Sequence, residues 1–239
     1  ALRMGMYNKV QNSPARESYI TFDILGGDLT QSTGNARDLI NSVLSSLNSI
    51  VANSWNGYYN ALYQVNNVLS IVEELPESDL RNLIIGEAHY FRAYIYHSLV
   101  TRWGGVPIQR VNTMDKPFRD SEEAVWIFIE EELETALAFL GTSSSCYYVS
   151  RDAALALKAR VMLERGKKTE AAALAEGLIK DGKYKLDSFD KIFRGKTNTE
   201  VIFSFQCLAE ESNITISTLF YTYAHPNHGS YVYRPTNDV

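Results

Sequence analysis

Residues 80–107 read LRNLIIGEAHYFRAYIYHSLVTRWGGVP, and this stretch decides the fold. One helical face carries five regularly spaced apolar residues, Ile84, Ala88, Phe91, Ile95 and Leu99. A second apolar side carries three more, Leu83, Tyr90 and Tyr94. A helix that is apolar on two sides is surrounded by neighbours, so we predict a central helix from Leu80 to Trp103. Gly104 and Gly105 allow a left-handed turn and Pro107 cannot continue a helix, so they end it.

The segments on either side predict further helices. Before the central helix, apolar residues between Leu39 and Val51 repeat at helical spacing, and another stripe begins after Ser54, a predicted N-cap. After it, Asp120 stands three residues before Glu123, as at the start of a capping box, and an amphipathic helix follows. The chain is therefore predicted to be a succession of helices.

Residues 151–182 predict two short antiparallel helices. Two helices joined by a tight glycine turn, here at Gly166, form a hairpin. Ala159 and Ala171 are small enough to let the two backbones approach closely, as in a tetratricopeptide unit. This pair of helices is the part of the chain most typical of a helical repeat.

The pattern changes after Tyr184. Residues 201–205 (VIFSF) and 214–216 (ITI) predict short strands, and residues 220–239 are irregular and rich in tyrosine. The helical pattern does not extend into this last part of the chain.

Together these patterns predict a mainly α fold class, a tetratricopeptide-like helix-pair scaffold with a few short strands and irregular loops near the C-terminus. We interpret residues 1–239 as a single domain because no low-complexity linker divides them. Residues 1–182 would form the helical scaffold, and residues 183–239 would form the short strands and an irregular tail.

Composition excludes several classes of protein. Apolar residues make up 45% and charged residues 21% of the chain, which is typical of a folded domain. The net charge of −5 offers no basic field for nucleic acid. The two cysteines, Cys146 and Cys207, form neither a metal cluster nor a disulfide framework, and two free thiols are favoured over one bridge.

The histidines give no recognisable catalytic or metal-binding set. His89 and His97 fall on the predicted central helix and are interpreted as structural. His225 and His228 share a loop, but two histidines in a loop are a weak metal signal. We therefore predict no metal, no cofactor and no catalytic residue.

Paired carboxylates are the remaining catalytic alternative, because a glycoside hydrolase needs an acid and a base. The run at residues 130–132 (EEE) is interpreted as a solvated helix face. Glu87 and Arg92 stand about 140° apart around a helix, so each is expected to contact a neighbouring helix instead of the other. An all-α hydrolase is disfavoured because no convincing acid–base pair is present.

Aromatic residues give the better functional signal, since the chain has 15 Tyr against 10 Phe. Aromatic rings stack on the apolar faces of sugars, while amide and carboxylate groups bind the hydroxyls. Packing at a half-buried surface is the alternative interpretation for any single tyrosine, and a place in the core is the alternative for Trp55.

Several motifs recur in a fixed order along the chain. The central one is residues 86–96 (GEAHYFRAYIY), followed by residues 103–107 (WGGVP). Others are Trp55 with Tyr59 and Asn66, residues 152–166 (DAALALKARVMLERG), and residues 200–203 (EVIF). In this order and spacing they resemble the SusD/RagB family of surface nutrient-binding lipoproteins, over residues 2–205.

The resemblance implies a non-catalytic protein that is lipid-anchored in its precursor and faces outward from the outer membrane. Such a protein captures an oligosaccharide or other nutrient and passes it to a TonB-dependent transporter. Family members usually have a long second half that supplies part of the ligand site. We therefore expect either that this second half is missing here or that this chain is a short member of the family. Asn66, Glu87 and Arg92 match family motif positions and are expected to be buried polar contacts between helices.

We predict a ligand site built from loops and helix ends. Its residues are Asp28, Asn35, Arg37, Trp55, Asn60, Tyr147 and Tyr148. The polar members would hydrogen-bond sugar hydroxyls and the rings would stack on the sugar. The alternative function is a helical-repeat interaction scaffold that docks another protein and binds no glycan.

Overall fold

The computed structural model describes residues 1–31, 36–43, 45–143, 145–194, 198–207 and 216–236. These ranges are mainly helical, which confirms the predicted fold class. The helices are α1 (Leu2–Asn12), α2 (Thr21–Gly26), α3 (Arg37–Ile40), α4 (Ser49–Val72), α5 (Asp79–Trp103), α6 (Glu122–Phe139), α7 (Arg151–Glu164), α8 (Lys168–Lys180) and α9 (Phe189–Arg194), and the strands are β1 (Leu29–Gln31) and β2 (Tyr233–Pro235). No helix in this described part of the chain combines the length and apolar character that a bilayer crossing needs.

Residues Ala1–Met6 and Leu62–Gln206 form one compact unit, here called the helical unit. In it α5 packs against α6, α6 against α7, and α7 against α8. Phe91, Ile95 and Leu99 of α5 are fully buried. The predicted central helix and the helix-pair scaffold are therefore confirmed.

The cap of α6 differs from the predicted one. Ser121 is the N-cap, and its hydroxyl accepts a hydrogen bond from the Ala124 N–H. Asp120 instead accepts a hydrogen bond from the Ile108 N–H at 2.7 Å. The capping-box prediction was wrong by one residue because this aspartate anchors the loop that precedes the helix.

The α7–α8 hairpin forms as predicted. Ser150 caps α7 by accepting a hydrogen bond from the Ala153 N–H. Gly166 has a φ of +74° in the turn between the helices, a conformation that favours glycine. Ala171 is buried in the hairpin, so its small side chain allows the close approach of α8.

The predicted strand at residues 201–205 is wrong. These residues are irregular, with a bend at Ile202, and belong to no strand. The Phe203 ring lies 5.8 Å from that of Tyr90, and the Phe205 ring stacks on that of Phe91 at 6.0 Å, both measured between centroids. The alternating apolar pattern therefore reflects rings that pack on α5 and not a sheet. Of the second predicted strand, residues 214 and 215 lie outside the described residues, and Ile216 begins a 3-10 turn.

Residues Tyr7–Ala61 and Cys207–Val239 form the other compact unit, here called the small unit. Strands β1 and β2 pair antiparallel in it, with Leu29 opposite Pro235 and Gln31 opposite Tyr233. Its core joins six buried residues, Ile24, Leu29, Ala36, Leu39, Leu219 and Tyr233. This core holds together parts of the chain that are far apart in sequence.

The helix predicted from Leu39 to Val51 does not form as one element. Helix α3 ends at Ile40, Ser42 adopts a left-handed φ of +58°, and α4 begins only at Ser49. Leu47 is 91% exposed, so the regular apolar spacing here does not mark a buried face. Ser54 is likewise not an N-cap, because it lies buried inside α4.

Candidate ligand-binding site

The small unit contains a cleft of about 430 Å³, here called the asparagine cleft. Six of the nine residues that line it carry polar side chains, namely Asn12, Ser13, Arg16, Asn53, Asn56 and Asn60. Asn53, Asn56, Gly57 and Asn60 follow the i, i+3, i+4, i+7 spacing of one helical face. One face of α4 therefore forms a wall of the cleft.

Gly57 explains how the opposite wall comes so close to α4. A Cβ atom at this position would collide with the carbonyl oxygen of Ser13 and the Cα of Pro14. Only glycine allows the chain at residues 13–16 to cross α4 at this distance. The close approach sets the width of the asparagine cleft at this point.

Three asparagines on one face of α4 have free hydrogen-bonding capacity. Asn53, Asn56 and Asn60 are exposed, and their carboxamides have no hydrogen-bond partner within the ranges that the structure describes. A carboxamide both donates and accepts hydrogen bonds, as does a sugar hydroxyl. Three such groups on one face therefore suit a polyhydroxylated ligand.

Arg16 adds a cation to the cleft. Its Nη1 lies 3.4 Å from the Thr218 hydroxyl oxygen, and its Nε lies 3.4 Å from a Glu17 carboxylate oxygen. Both distances are long for hydrogen bonds, so the guanidinium keeps capacity for a further acceptor. It could accordingly donate to a ring or hydroxyl oxygen of a ligand.

Two of the predicted site residues, Asn60 and Trp55, lie on α4 but on different faces. Asn60 lines the asparagine cleft. Trp55 is half-buried, with its ring centroid 5.0 Å from that of Tyr59. Five residues separate the two side chains by about 140° around the helix, so the structure does not bring them to one point.

Asp28 and Arg37 are exposed residues that flank members of the small-unit core. Asp28 directly precedes Leu29, and its carbonyl oxygen accepts a hydrogen bond from the Thr236 N–H at 3.0 Å. Arg37 directly follows Ala36, a core residue of the same cluster. Asn35, which the sequence also placed in the site, lies outside the described residues.

The two predicted site residues Tyr147 and Tyr148 belong to the helical unit and are half-buried there. The Arg3 guanidinium carbon lies 4.5 Å from the centroid of the Tyr148 ring. This contact occupies one face of the ring, so Tyr148 has at most one face for a sugar.

The polar residues of α5 contact neighbouring helices. Arg3 of α1 donates two hydrogen bonds to the buried Glu87, at 2.7 and 2.6 Å. Arg92 donates two to Glu132 of α6, at 2.6 and 2.8 Å, and one to the Asn66 side chain of α4 at 3.3 Å. These side chains link four helices through buried hydrogen bonds.

The interpretation of residues 130–132 as a solvated face was wrong for Glu132, which is only 3% exposed. Its carboxylate also contacts His89 Nδ1 at 2.7 Å. Burial would raise the pKa of Glu132, but the hydrogen bonds and charges of His89 and Arg92 outweigh it and hold the pKa below its usual value. Its spacing of four residues from Phe128 and from Ala136, both apolar, was the signal that could have placed it inside.

His97 and Glu164 form a similar contact between α5 and α7, with Nε2 2.6 Å from a carboxylate oxygen. Burial raises the pKa of Glu164. The hydrogen bonds and charges of His97 and Arg160 have a larger effect in the opposite direction, so the pKa lies below its usual value. His89 and His97 thus have structural partners, as expected. Within the described ranges no three His, Cys, Asp or Glu residues are placed to hold a metal ion.

The comparisons with known proteins agree with this fold. A model of a SusD-like family, described as starch-binding associating with outer membrane, matches residues 1–163. A SusD-like protein of Formosa agariphila is 29% identical over 166 residues, which cover 67% of this chain and 32% of the relative. The chain therefore spans about a third of that relative's length.

Solved structures share the fold at lower identity. A SusD superfamily protein from Bacteroides vulgatus has a TM-score of 0.87 at 21% identity, covering 99% of this chain and 55% of the other. A crystal structure with xylogluco-oligosaccharide has a TM-score of 0.81 at 22% identity, covering 100% of this chain and 54% of the other. Because the family model matches more than half of its residues, this chain belongs to the SusD/RagB family of SusD-like proteins.

Proposed function

We propose that this chain is part of a non-catalytic surface protein that captures an oligosaccharide and delivers it to a TonB-dependent transporter of the outer membrane. The observation that carries the proposal is the family match over residues 1–163, which contains every residue named in the asparagine cleft. The precursor would be lipid-anchored and face outward, as the family resemblance implies.

The asparagine cleft supplies the chemistry that glycan capture needs. Sugar hydroxyls exchange hydrogen bonds with water, so a site must offer several donors and acceptors at once to replace them. Asn53, Asn56 and Asn60 offer both kinds of group, and Arg16 offers a charged donor. Trp55 and Tyr59 form an aromatic pair on a different face of α4 and are not part of this cleft.

The lowered pKa values of two ion-paired carboxylates, Glu132 and Glu164, argue for binding without hydrolysis. A glycosidase acid must hold its proton near neutral pH, which requires a raised pKa. The pKa values of Glu132 and Glu164 are lowered, since ion-pair partners outweigh the burial that would raise them. These carboxylates act as structural anions and are unsuited to donate a proton.

Native electrophoresis in gels that contain xyloglucan, starch or other neutral polysaccharides tests the proposal. We expect at least one polysaccharide to retard the protein, and Asn56→Ala with Asn60→Ala to reduce the retardation. Asn67→Ala, a half-buried asparagine farther along α4 and outside the cleft, is the matched control and should migrate like the unmodified chain.

The interaction-scaffold alternative makes the opposite prediction. If no polysaccharide in the panel retards the protein while a pull-down recovers an outer-membrane transporter, the scaffold function replaces glycan capture. Release of reducing ends from a polysaccharide by the purified chain would contradict the non-catalytic part of the proposal.

A further inference from the structure

The helical unit contains a cleft of its own, with a volume of about 400 Å³. It lies between the loop that follows α6 and the segment that follows α8, and here it is called the hydroxyl cleft. Its lining includes Ser145, Cys146, Lys183, Tyr184, Asn198 and Ile202. We infer that this cleft binds a neutral pyranose, one or two sugar units long, and extends the proposed function by a second saccharide site.

Backbone hydrogen bonds fix the walls of the hydroxyl cleft. The Ser204 N–H donates to the Cys146 carbonyl at 2.9 Å, which joins the two segments. The Lys185 N–H donates to the Thr199 carbonyl at 2.9 Å, and the Thr199 hydroxyl donates to the Lys185 carbonyl at 3.0 Å. A site that is formed before the ligand arrives loses less entropy on binding.

Two polar side chains of the cleft keep donors for a ligand. The Asn198 side-chain oxygen accepts hydrogen bonds from the N–H groups of Glu200 at 3.1 Å and Val201 at 2.8 Å. Its amide nitrogen has no partner among the residues that the structure describes, so the backbone orients a free NH₂ group. The Ser145 hydroxyl oxygen accepts from the Tyr147 N–H at 3.2 Å, and its own hydrogen is likewise available.

The charges of the cleft cancel, which selects a neutral ligand over an anion. Lys183 Nζ lies 2.6 Å from Oδ2 of Asp152, and the Tyr184 hydroxyl donates to the same oxygen at 2.8 Å. The ammonium group therefore acts inside an ion pair and not as a free binding charge for phosphate or a carboxylate.

Apolar groups in the same cleft suit the C–H faces of a sugar ring. Val201 and Ile202 are half-buried lining residues, and the half-buried Tyr184 ring lines the cleft beside them. A pyranose presents hydroxyls at its rim and C–H groups on its faces, so it matches a site with amide and hydroxyl donors around apolar contacts. A purely apolar ligand would leave these polar groups without partners.

Cys146 provides a direct test because it lines the cleft. Cys207→Ser leaves it as the single thiol of the chain. The rate of its alkylation by iodoacetamide is then measured with and without glucose, galactose, xylose and their disaccharides. We expect at least one saccharide to slow the alkylation at least fivefold at saturation, and inorganic phosphate to leave the rate unchanged.

Asn198→Asp, made in the same background, removes the free NH₂ donor but keeps the oxygen that accepts the two backbone N–H groups. It should abolish the protection, whereas Asn67→Asp, an equal charge change outside the cleft, should retain it. Ser145→Ala removes the other donor and serves if Asn198→Asp does not fold.

The outcomes separate this inference from the proposed function. Asn60→Ala alters only the asparagine cleft and should leave the protection of Cys146 intact. The second site is overturned if iodoacetamide does not reach Cys146 or if no saccharide slows its alkylation. It is also overturned if the protection survives both Asn198→Asp and Ser145→Ala. Each of these results counts against the second site even if polysaccharides retard the protein in gels. Protection of Cys146 without any retardation in gels would instead overturn the capture function assigned to the asparagine cleft.

Discussion

The helical unit and the asparagine cleft of the small unit use polar side chains in opposite ways. In the helical unit, Arg92, Glu132 and Glu87 are buried and every one of them has a charged partner. In the cleft, Asn56 and Asn60 are exposed and have no partner among the described residues. The comparison teaches that paired polar groups here stabilise the fold, while unpaired ones at a fixed spacing are available for a ligand.

The largest expected effect comes from removing the carboxylate of Glu132, one of the paired side chains of the helical unit. Glu132→Ala leaves the Arg92 guanidinium buried without its carboxylate, and removing one partner of a buried ion pair costs about 3–5 kcal/mol. Urea denaturation measures the change in the free energy of unfolding. Glu131→Ala is the matched control, since Glu131 is exposed and its pair with the exposed Arg110 should contribute about 0–1 kcal/mol. Equal losses at the two positions would contradict the structural role of the buried pair.

A smaller effect is expected at Gly57, where the wall of the asparagine cleft meets α4. Gly57→Ala places a Cβ against the Ser13 carbonyl, so the loop must move and the protein should lose about 1–3 kcal/mol. Gly177→Ala in α8 has open space around its Cβ and should stabilise the chain by about 0.5–1 kcal/mol, as expected for alanine in a helix. Thermal unfolding of both variants measures these changes in stability. A stabilising Gly57→Ala would contradict the close contact between Gly57 and the Ser13 carbonyl.

Acid should weaken the paired groups of the helical unit. The folded-state pKa of Glu132 lies below its ordinary value of 4.5, because the partners His89 and Arg92 outweigh the burial that raises it. A depressed carboxyl pKa contributes stability above the unfolded value, and this stability is lost as the pH falls through the folded-state pKa. Unfolding free energies should therefore decline below about pH 4.5 and decline less steeply in Glu132→Gln. An identical pH profile for the two proteins would contradict the claim that the ionised Glu132 carboxylate contributes stability that is lost in acid.

Much of the helical unit could be predicted because its elements are specified by neighbouring residues. The two apolar sides of α5 and the glycine turn at Gly166 are local signals, and both predictions were confirmed. The partner of Arg92 could not be predicted in the same way, since Glu132 lies 40 residues away and is brought near only by helix packing. Regular apolar spacing misled the prediction between Leu39 and Val51, where the short α3 and a left-handed Ser42 divide the segment.

The candidate site was only partly accessible from the sequence. Asn60 was predicted as a ligand residue, and the structure places it in the asparagine cleft, but Asn53 and Asn56 were missed. Asn56 and Asn60 follow Asn53 by three and seven residues, and this helical spacing was visible in the sequence. A polar helix face is, however, usually solvated and carries no function. The crossing of residues 13–16 over Gly57, which turns this face into a cleft, depends on a contact between distant residues.

Calorimetric titration of the glycan selected in the gel assay tests the central claim most directly, with the unmodified chain and Asn60→Ala compared side by side. Loss of one carboxamide that contacts the glycan should raise Kd about tenfold, or about 1.4 kcal/mol. The melting temperature should stay the same, because the Asn60 side chain has no partner among the residues that the structure describes. An unchanged Kd for Asn60→Ala, with Asn56→Ala also unchanged, would contradict the assignment of the unpaired asparagines to the ligand.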